Sequence, residues 1–153
     1  VRLVTTFPVF SELEDGLLGL AVDPDYEKNH WIYLYYSPAG NEAVQRLSRF
    51  TFIGDTLDYK SEKIVLTVNT QREQCCHSAG SIEFGPDRLL YLATGDNTSP
   101  RETGYGPIDE RPGKSPWDAQ KSSANTNDLR GKILRIKQED DGTYTIPKEN
   151  LFT

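Results

Sequence analysis

At 153 residues the chain is long enough for one domain with its own core, and 36% hydrophobic with 26% charged residues argues against wholesale disorder. The net charge of −6 and the scattered basic residues Arg46, Arg49, Arg130, Lys132 and Arg135 argue against a nucleic-acid partner and fit a small neutral ligand or a metal ion. The longest strongly apolar run, Trp31 to Tyr36, is too short to span a bilayer, and two cysteines cannot staple a disulfide framework. No basic, apolar, small-residue leader is visible in the first residues, so an export signal is expected to be either removed or outside this stretch.

In chain order, Glu14-Asp15-Gly16 comes first. Its carboxylates are expected either at the mouth of a site or in a solvated acidic loop, and Gly16 would let backbone approach a ligand. Leu20 to Asp25 and Trp31 to Tyr36 then read as strand, Pro-Asp turn and strand, rich in aromatic and β-branched residues. Proline presets φ in such a turn, and aspartate caps it with its own side chain. His30, among charged residues, reads as a solvated turn residue. Val44 to Phe52 forms a third strand with a basic centre, and Lys63 to Val68 a fourth.

The pattern recurs. Ile82 to Asp87 and Leu89 to Thr94 repeat strand, Pro-Asp turn and strand, with Asp87 62 positions after Asp25. Lys132 to Lys137 supplies the basic third strand and Thr143 to Ile146 the fourth. Helical periodicity is almost absent. Four-strand units recurring every 60 residues or so predict an all-β chain folded as a β-propeller, with unit one over about 14–68 and unit two over about 77–146. A β-sandwich with a coincidental hairpin likeness is the alternative. At this period the chain makes about two and a half blades, short of the typical four to eight, so it is expected to be part of a longer propeller. The units differ in one link, which is short at Ser37 to Ala43 but long at Gly95 to Gly131. A loop of that length is usually functional, and this one is expected on the channel rim.

Cys75 and Cys76 stand side by side, followed at once by His77. Adjacent Cα atoms lie about 3.8 Å apart, below the usual disulfide span of about 4.4–6.8 Å. The pair is therefore either a vicinal disulfide making a rigid kink or two buried thiols packed as small hydrophobes. His77 precedes the inner strand of unit two, and Asp96 follows the next strand. In a hairpin turning at Pro86-Asp87 the two emerge at the same end, where a carboxylate fixes the imidazole tautomer and prepares a general base. In the long loop, Asp109-Glu110-Arg111, Asp118 and Asp128 offer the hard oxygens that bind Ca²⁺ but lack the compact Asp-x-Asp-x-Asp-Gly spacing. Solvation or ion pairs with Arg111, Lys114 and Arg130 are expected instead.

Three stretches, EDGLLGLAVDPDYEKNHWIYLYYS, HSAGSIEFGPDRLLYLATGDN, and LRGKILRI followed by DGTYTIPKENLF, resemble the soluble pyrroloquinoline quinone (PQQ)-dependent sugar dehydrogenases. This is the glucose/sorbosone, or aldose sugar, dehydrogenase group, and the likeness runs in order from about Glu14 to Phe152. It implies a six-bladed propeller with PQQ and Ca²⁺ at the channel mouth, a sugar substrate, and an electron acceptor such as a cytochrome or quinone. It implies that His77 is the base that takes the anomeric hydroxyl proton as hydride passes to PQQ, with Asp96 as its support. Around Glu14 and Asp15 it implies a polar contact to substrate or cofactor. Asn97 and Arg101 are read as binding positions in the stretch where glucose-oxidising members carry Gly-Arg-Asn. Most PQQ and Ca²⁺ ligands are expected in later blades, so this segment alone is expected to be inactive.

The CCH triplet and the loop PIDERPGKSPWDAQKSSANTNDLRG resemble a branch of exported multidomain bacterial proteins, which implies a periplasmic or extracellular location. By analogy with quinoprotein alcohol dehydrogenases, the cysteine pair is expected to lie against the quinone. Two other functions compete. One is a non-catalytic carbohydrate- or protein-binding propeller related to hedgehog-interacting protein. The other is a lactonase-like propeller in which Glu14 and Asp15 hold a catalytic Ca²⁺. The His77/Asp96 pair favours the dehydrogenase.

Overall fold

Side chains alternate across a strand, so a strand apolar at every position must be covered on both faces. Trp31–Tyr36 is such a strand. Tyr33 and Tyr35 enter one core, while Ile32, Leu34 and Tyr36 enter another. The computed structural model, which describes residues 1–101 and 104–152, builds an antiparallel sheet on each side of the first of these cores. The first sheet has the order β1 (Leu17–Val22), β2 (Trp31–Tyr36), β3 (Val44–Ile53) and β4 (Thr56–Asn69). The second has the order β5 (Ala79–Phe84), β6 (Leu90–Thr94), β7 (Ile133–Gln138) and β8 (Tyr144–Thr145). Both are four-stranded meanders, the blades of a partial β-propeller. Among the described residues no helix is long and apolar enough to cross a membrane.

The shared core takes Tyr33, Tyr35, Leu47, Val65, Leu66 and Val68 from the first sheet and Ile82, Leu90, Leu92 and Ile136 from the second. The other face of β2 packs with Phe50 and Leu57 and is covered by Phe7 and Val9 of the leading segment. Where the inner strands β1 and β5 meet, glycine is required. A Cβ on Gly19 would lie 2.0 Å from the Gly80 carbonyl oxygen, and one on Gly80 would lie 2.5 Å from Leu18 Cβ. Polar ties reinforce the packing. The buried Arg49 guanidinium sits 3.7 Å from the Trp31 ring centroid and donates to the carbonyls of Glu139 and Asp140, at 3.0 and 2.8 Å, in the turn between β7 and β8. Arg88 pairs with Asp25, joining the two Pro-Asp turns.

The structure departs from the sequence reading in details of these elements. The first Pro-Asp turn continues into a one-turn helix, α1 (Tyr26–Asn29), ending on a left-handed His30. The fourth strand of the first sheet starts earlier than Lys63, because Thr56 to Asp58 extend the β3 pairing. Its counterpart β8 is only two residues long. The long link is folded back on itself through two 3₁₀ turns, Ser115–Trp117 and Ala119–Lys121, with Trp117 buried. Its ends are pinned where Gly131 N donates to Gly95 O at 2.9 Å. Glu102 and Thr103, within the loop expected over 95–131, lie outside the described residues.

The glycine contact makes a sharp prediction. In the full-length protein, Gly19→Ala should lower stability by about 2 kcal/mol, the usual scale for overpacking, read as an earlier urea midpoint. An unchanged midpoint would contradict the close approach of the two inner strands.

Candidate active site

The β5–β6 hairpin positions the two residues that the sequence singles out. Its turn is a three-residue loop, Pro86-Asp87-Arg88, not a two-residue one. Gly85 N bonds Leu89 O at 3.0 Å, Arg88 N bonds Gly85 O at 2.8 Å, and Arg88 is left-handed at φ 62. This is a turn followed by a left-handed residue, which shifts the upper pairing by one, to Phe84↔Leu90, Glu83↔Tyr91 and Ile82↔Leu92. An irregularity then sets Gly80 and Ser81 of β5 against Ala93 alone, and pairing resumes at Ala79↔Thr94. The bulge cancels the shift from the turn. His77 and Asp96 therefore reach the same end of the hairpin, with His77 Nδ1 3.0 Å from Asp96 Oδ1.

The backbone of His77 is gripped from several sides. It is left-handed at φ 60, a region that costs a non-glycine residue about 1–3 kcal/mol. Its N–H donates to Glu14 Oε2 at 2.6 Å, and its carbonyl accepts from Asn97 N at 3.2 Å. Gly95 lies against the same carbonyl, and a Cβ there would stand 1.6 Å from His77 O. Asp96 is held as firmly, its Oδ1 also accepting from Thr98 N at 3.0 Å. The imidazole is 46% exposed and the aspartate 19%, so the ring is open to a ligand while its partner is largely covered.

The remaining candidates divide. Glu14 is exposed, and its carboxylate lies at the His77 backbone. Asp15 turns into its own sheet, accepting from Ser37 Oγ at 2.5 Å and Gln45 Nε2 at 3.4 Å. Burial first, and then the Asp15 carboxylate, push the nearby Tyr35 phenol well above its ordinary range. Asn97 is buried and latches the preceding segment. Its Oδ1 accepts from Gln71 N at 2.5 Å, and its Nδ2 donates to Gln71 O at 3.2 Å. Arg101 is exposed on the loop leaving Asp96.

The structure pairs the sulfurs of Cys75 and Cys76, whose peptide bond is cis. Among the described residues, the only group of three close enough to share a metal ion is Glu14, Cys75 and Cys76, within 4.8 Å of one another. With the sulfurs joined it offers no thiolate pair. Asp109 and Asp128 are engaged by Arg111 and Arg130, at 2.6 and 2.7 Å, and Asp118 accepts from Gln120 N.

Sequence reasoning missed Gln71 and Gly95. Gln71 holds its own turn through Glu73 N and Gln74 N, but its tie to Asn97, 26 positions away, has no local signal. Gly95 had one: it stands directly before Asp96 at a strand end, where a close backbone approach is a standing reason for glycine.

Comparison with known proteins follows the same lines. The Glucose / Sorbosone dehydrogenase family matches residues 2–153. The chain is 25% identical over 146 residues to quinoprotein glucose dehydrogenase B of Acinetobacter calcoaceticus, covering 90% of this chain and 29% of that one. It is 25% identical over 150 residues to human Hedgehog-interacting protein, covering 90% and 19%. Among solved structures it is similar to the PQQ-bound aldose sugar dehydrogenase of Streptomyces coelicolor, at 27% identity and a TM-score of 0.65, covering 94% of this chain and 35% of that one. The chain spans a third or less of the length of these curated relatives.

The cysteine pairing is open to direct test. Intact protein under non-reducing conditions should be lighter by two hydrogens, about 2 Da, than after reduction, with the difference on the peptide carrying Cys75 and Cys76. Equal masses would mean two free thiols.

Proposed function

The chain belongs to the glucose/sorbosone dehydrogenase family, and we propose that it contributes the proton-accepting side of a site that oxidises an aldose or related sugar at its hemiacetal carbon. The observation that carries the reading is the open imidazole of His77 with Nδ1 3.0 Å from the Asp96 carboxylate. In the neutral ring, an Nδ1–H that donates to Asp96 leaves Nε2 as the acceptor, facing away from its partner. Nε2 takes the proton of the anomeric hydroxyl as the C1–O double bond forms and the C1–H electron pair departs as hydride. The product is a lactone, and the carboxylate lies beside the positive charge that the ring acquires.

PQQ, when bound, supplies the two-electron acceptor for that hydride. The site fits it on one side. The ring of His77 is open, and Arg101, exposed on the loop after Asp96, carries the charge to hold one of its carboxylates. Asn97 does not fit as a ligand, since its amide is committed to Gln71. Among the described residues no cluster of free carboxylates fits a Ca²⁺ site. Glu14 is committed to the His77 backbone, and Asp109, Asp118 and Asp128 of the long loop are paired or capping. The lactonase-like reading, which needs Glu14 and Asp15 on a metal, loses its support here, and the Ca²⁺ ligands are assigned to the rest of the protein.

Passage of electrons to an external cytochrome or quinone belongs to the same proposal, as does residence in an oxidising compartment. The paired Cys75 and Cys76 support that location. A binding propeller is the second reading, supported by the likeness to Hedgehog-interacting protein. The pair at His77 separates the two, because a binder has no use for an oriented base.

The test is the full-length protein reconstituted with PQQ and Ca²⁺ and assayed by dye-linked oxidation across a panel of sugars. Turnover is expected on at least one aldose, with His77→Ala lowering kcat by about 10²–10⁴-fold and Asp96→Asn by a smaller factor. Absence of dye reduction with every sugar, or full activity in His77→Ala, would defeat the reading.

A further inference from the structure

We infer that Glu14 is a positioning residue for His77, reaching across from the neighbouring blade, and not a contact to the sugar; its kinetic consequence rests on the dehydrogenase reading above. Glu14 precedes β1, whereas His77 precedes β5, so the two belong to different sheets and are 63 residues apart. One oxygen, Glu14 Oε2, accepts from two successive backbone donors, His77 N at 2.6 Å and Ser78 N at 3.4 Å. Successive N–H groups converging on one point form a concavity suited to an anion, and here the anion is a side chain of the chain itself.

The site needs such an anchor. His77 and Ala79 are left-handed at φ 60 and 54, and Gly80 follows at φ 127, so the strand begins with a run of uncommon conformations. Outside contacts must hold them, since local preference does not. The carbonyl of His77 is held by Asn97 N and by contact with Gly95. Among the described residues its N–H has only Glu14. The direction of the imidazole follows from this backbone frame, and Nδ1 meets Asp96 only while the frame is kept. Loss of Glu14 would leave the carbonyl side fixed and the amide side loose, and the ring would swing with it.

A role as a sugar ligand makes different demands. A sugar hydroxyl donating to Oε2 would compete with two backbone donors, and its loss would weaken binding rather than misalign the base. Glu14→Ala, Glu14→Gln and Glu14→Asp in the full-length protein separate the two roles. The positioning role predicts that Glu14→Ala lowers kcat by about 10–10²-fold, the scale of a displaced catalytic group, with the sugar KM within about twofold. Glu14→Gln, whose amide oxygen can accept the same N–H groups, should restore most of kcat. Glu14→Asp keeps the charge but withdraws the oxygen by one methylene, and gives the alanine readings in weaker form should the alanine variant not fold.

Amide hydrogen exchange supplies a reading that needs no turnover. The His77 and Ser78 amides should exchange about tenfold faster in Glu14→Ala and near the wild-type rate in Glu14→Gln. A raised KM with unchanged kcat in both the alanine and glutamine variants would overturn the inference, as would unchanged exchange at His77 and Ser78 in the alanine variant. If the wild-type protein oxidises no sugar, the dehydrogenase reading falls, and the exchange measurement still decides the role of Glu14.

Discussion

The carbonyl of His77 lies so close to the α-carbon of Gly95 that no side chain fits between them, and this contact organises the site. It requires glycine directly before Asp96. It fixes the alignment of two chain segments whose strands would otherwise be offset by one residue. A slip of one residue in a β-ladder turns each side chain to the opposite face. Here the three-residue turn introduces such an offset, and the bulge at Gly80 and Ser81 removes it before the strands end. Imidazole and carboxylate then face each other at 3.0 Å. The bulge also brings Gly80 against Gly19, so one irregularity serves both the pairing of the hairpin and the packing of the blades.

The site is built across two sheets. The second supplies His77 and Asp96, and the first supplies the carboxylate of Glu14. Their relative position depends on the shared core of Tyr33, Tyr35, Leu47, Ile82, Leu90 and Leu92, together with the Arg49 tie from the first sheet to the turn before β8. Tertiary packing of this kind is rigid because the interior is close-packed. A propeller suits such a site, since each blade can contribute one group at the same end of the channel. The chain spans about a third or less of its relatives' length, and on the proposed reading it contributes one side of the site.

The repeat was legible because it is written in turn chemistry and alternation, both of which are local. Pro24-Asp25 and Pro86-Asp87 mark equivalent turns, and the strand Trp31 to Tyr36 coincides with its sequence-based bounds. The juxtaposition of His77 with Asp96 was legible through counting from the turn, although two opposite irregularities lie between the turn and the pair. A bulge was conceivable from the sequence, but the positions of these irregularities were not legible. The left-handed Arg88 belongs to the closure of the turn, and the bulge lies where Gly80 meets Gly19, a residue of the other sheet. The same limit explains Asp15 and Asn97. Their residue types suit ligand binding, but Ser37, Gln45 and Gln71 are brought to them only by the folded chain.

The likeness to both a quinoprotein glucose dehydrogenase and a Hedgehog-interacting protein makes the fold a weak guide to activity, and the weight falls on the imidazole. The most direct measurement is a crystal structure of the full-length protein with a bound aldose. The account predicts the sugar's anomeric oxygen within about 2.6–3.2 Å of His77 Nε2, with Nδ1 still on Asp96. A sugar bound elsewhere, or a His77 ring turned away from Asp96 in the complex, would contradict it.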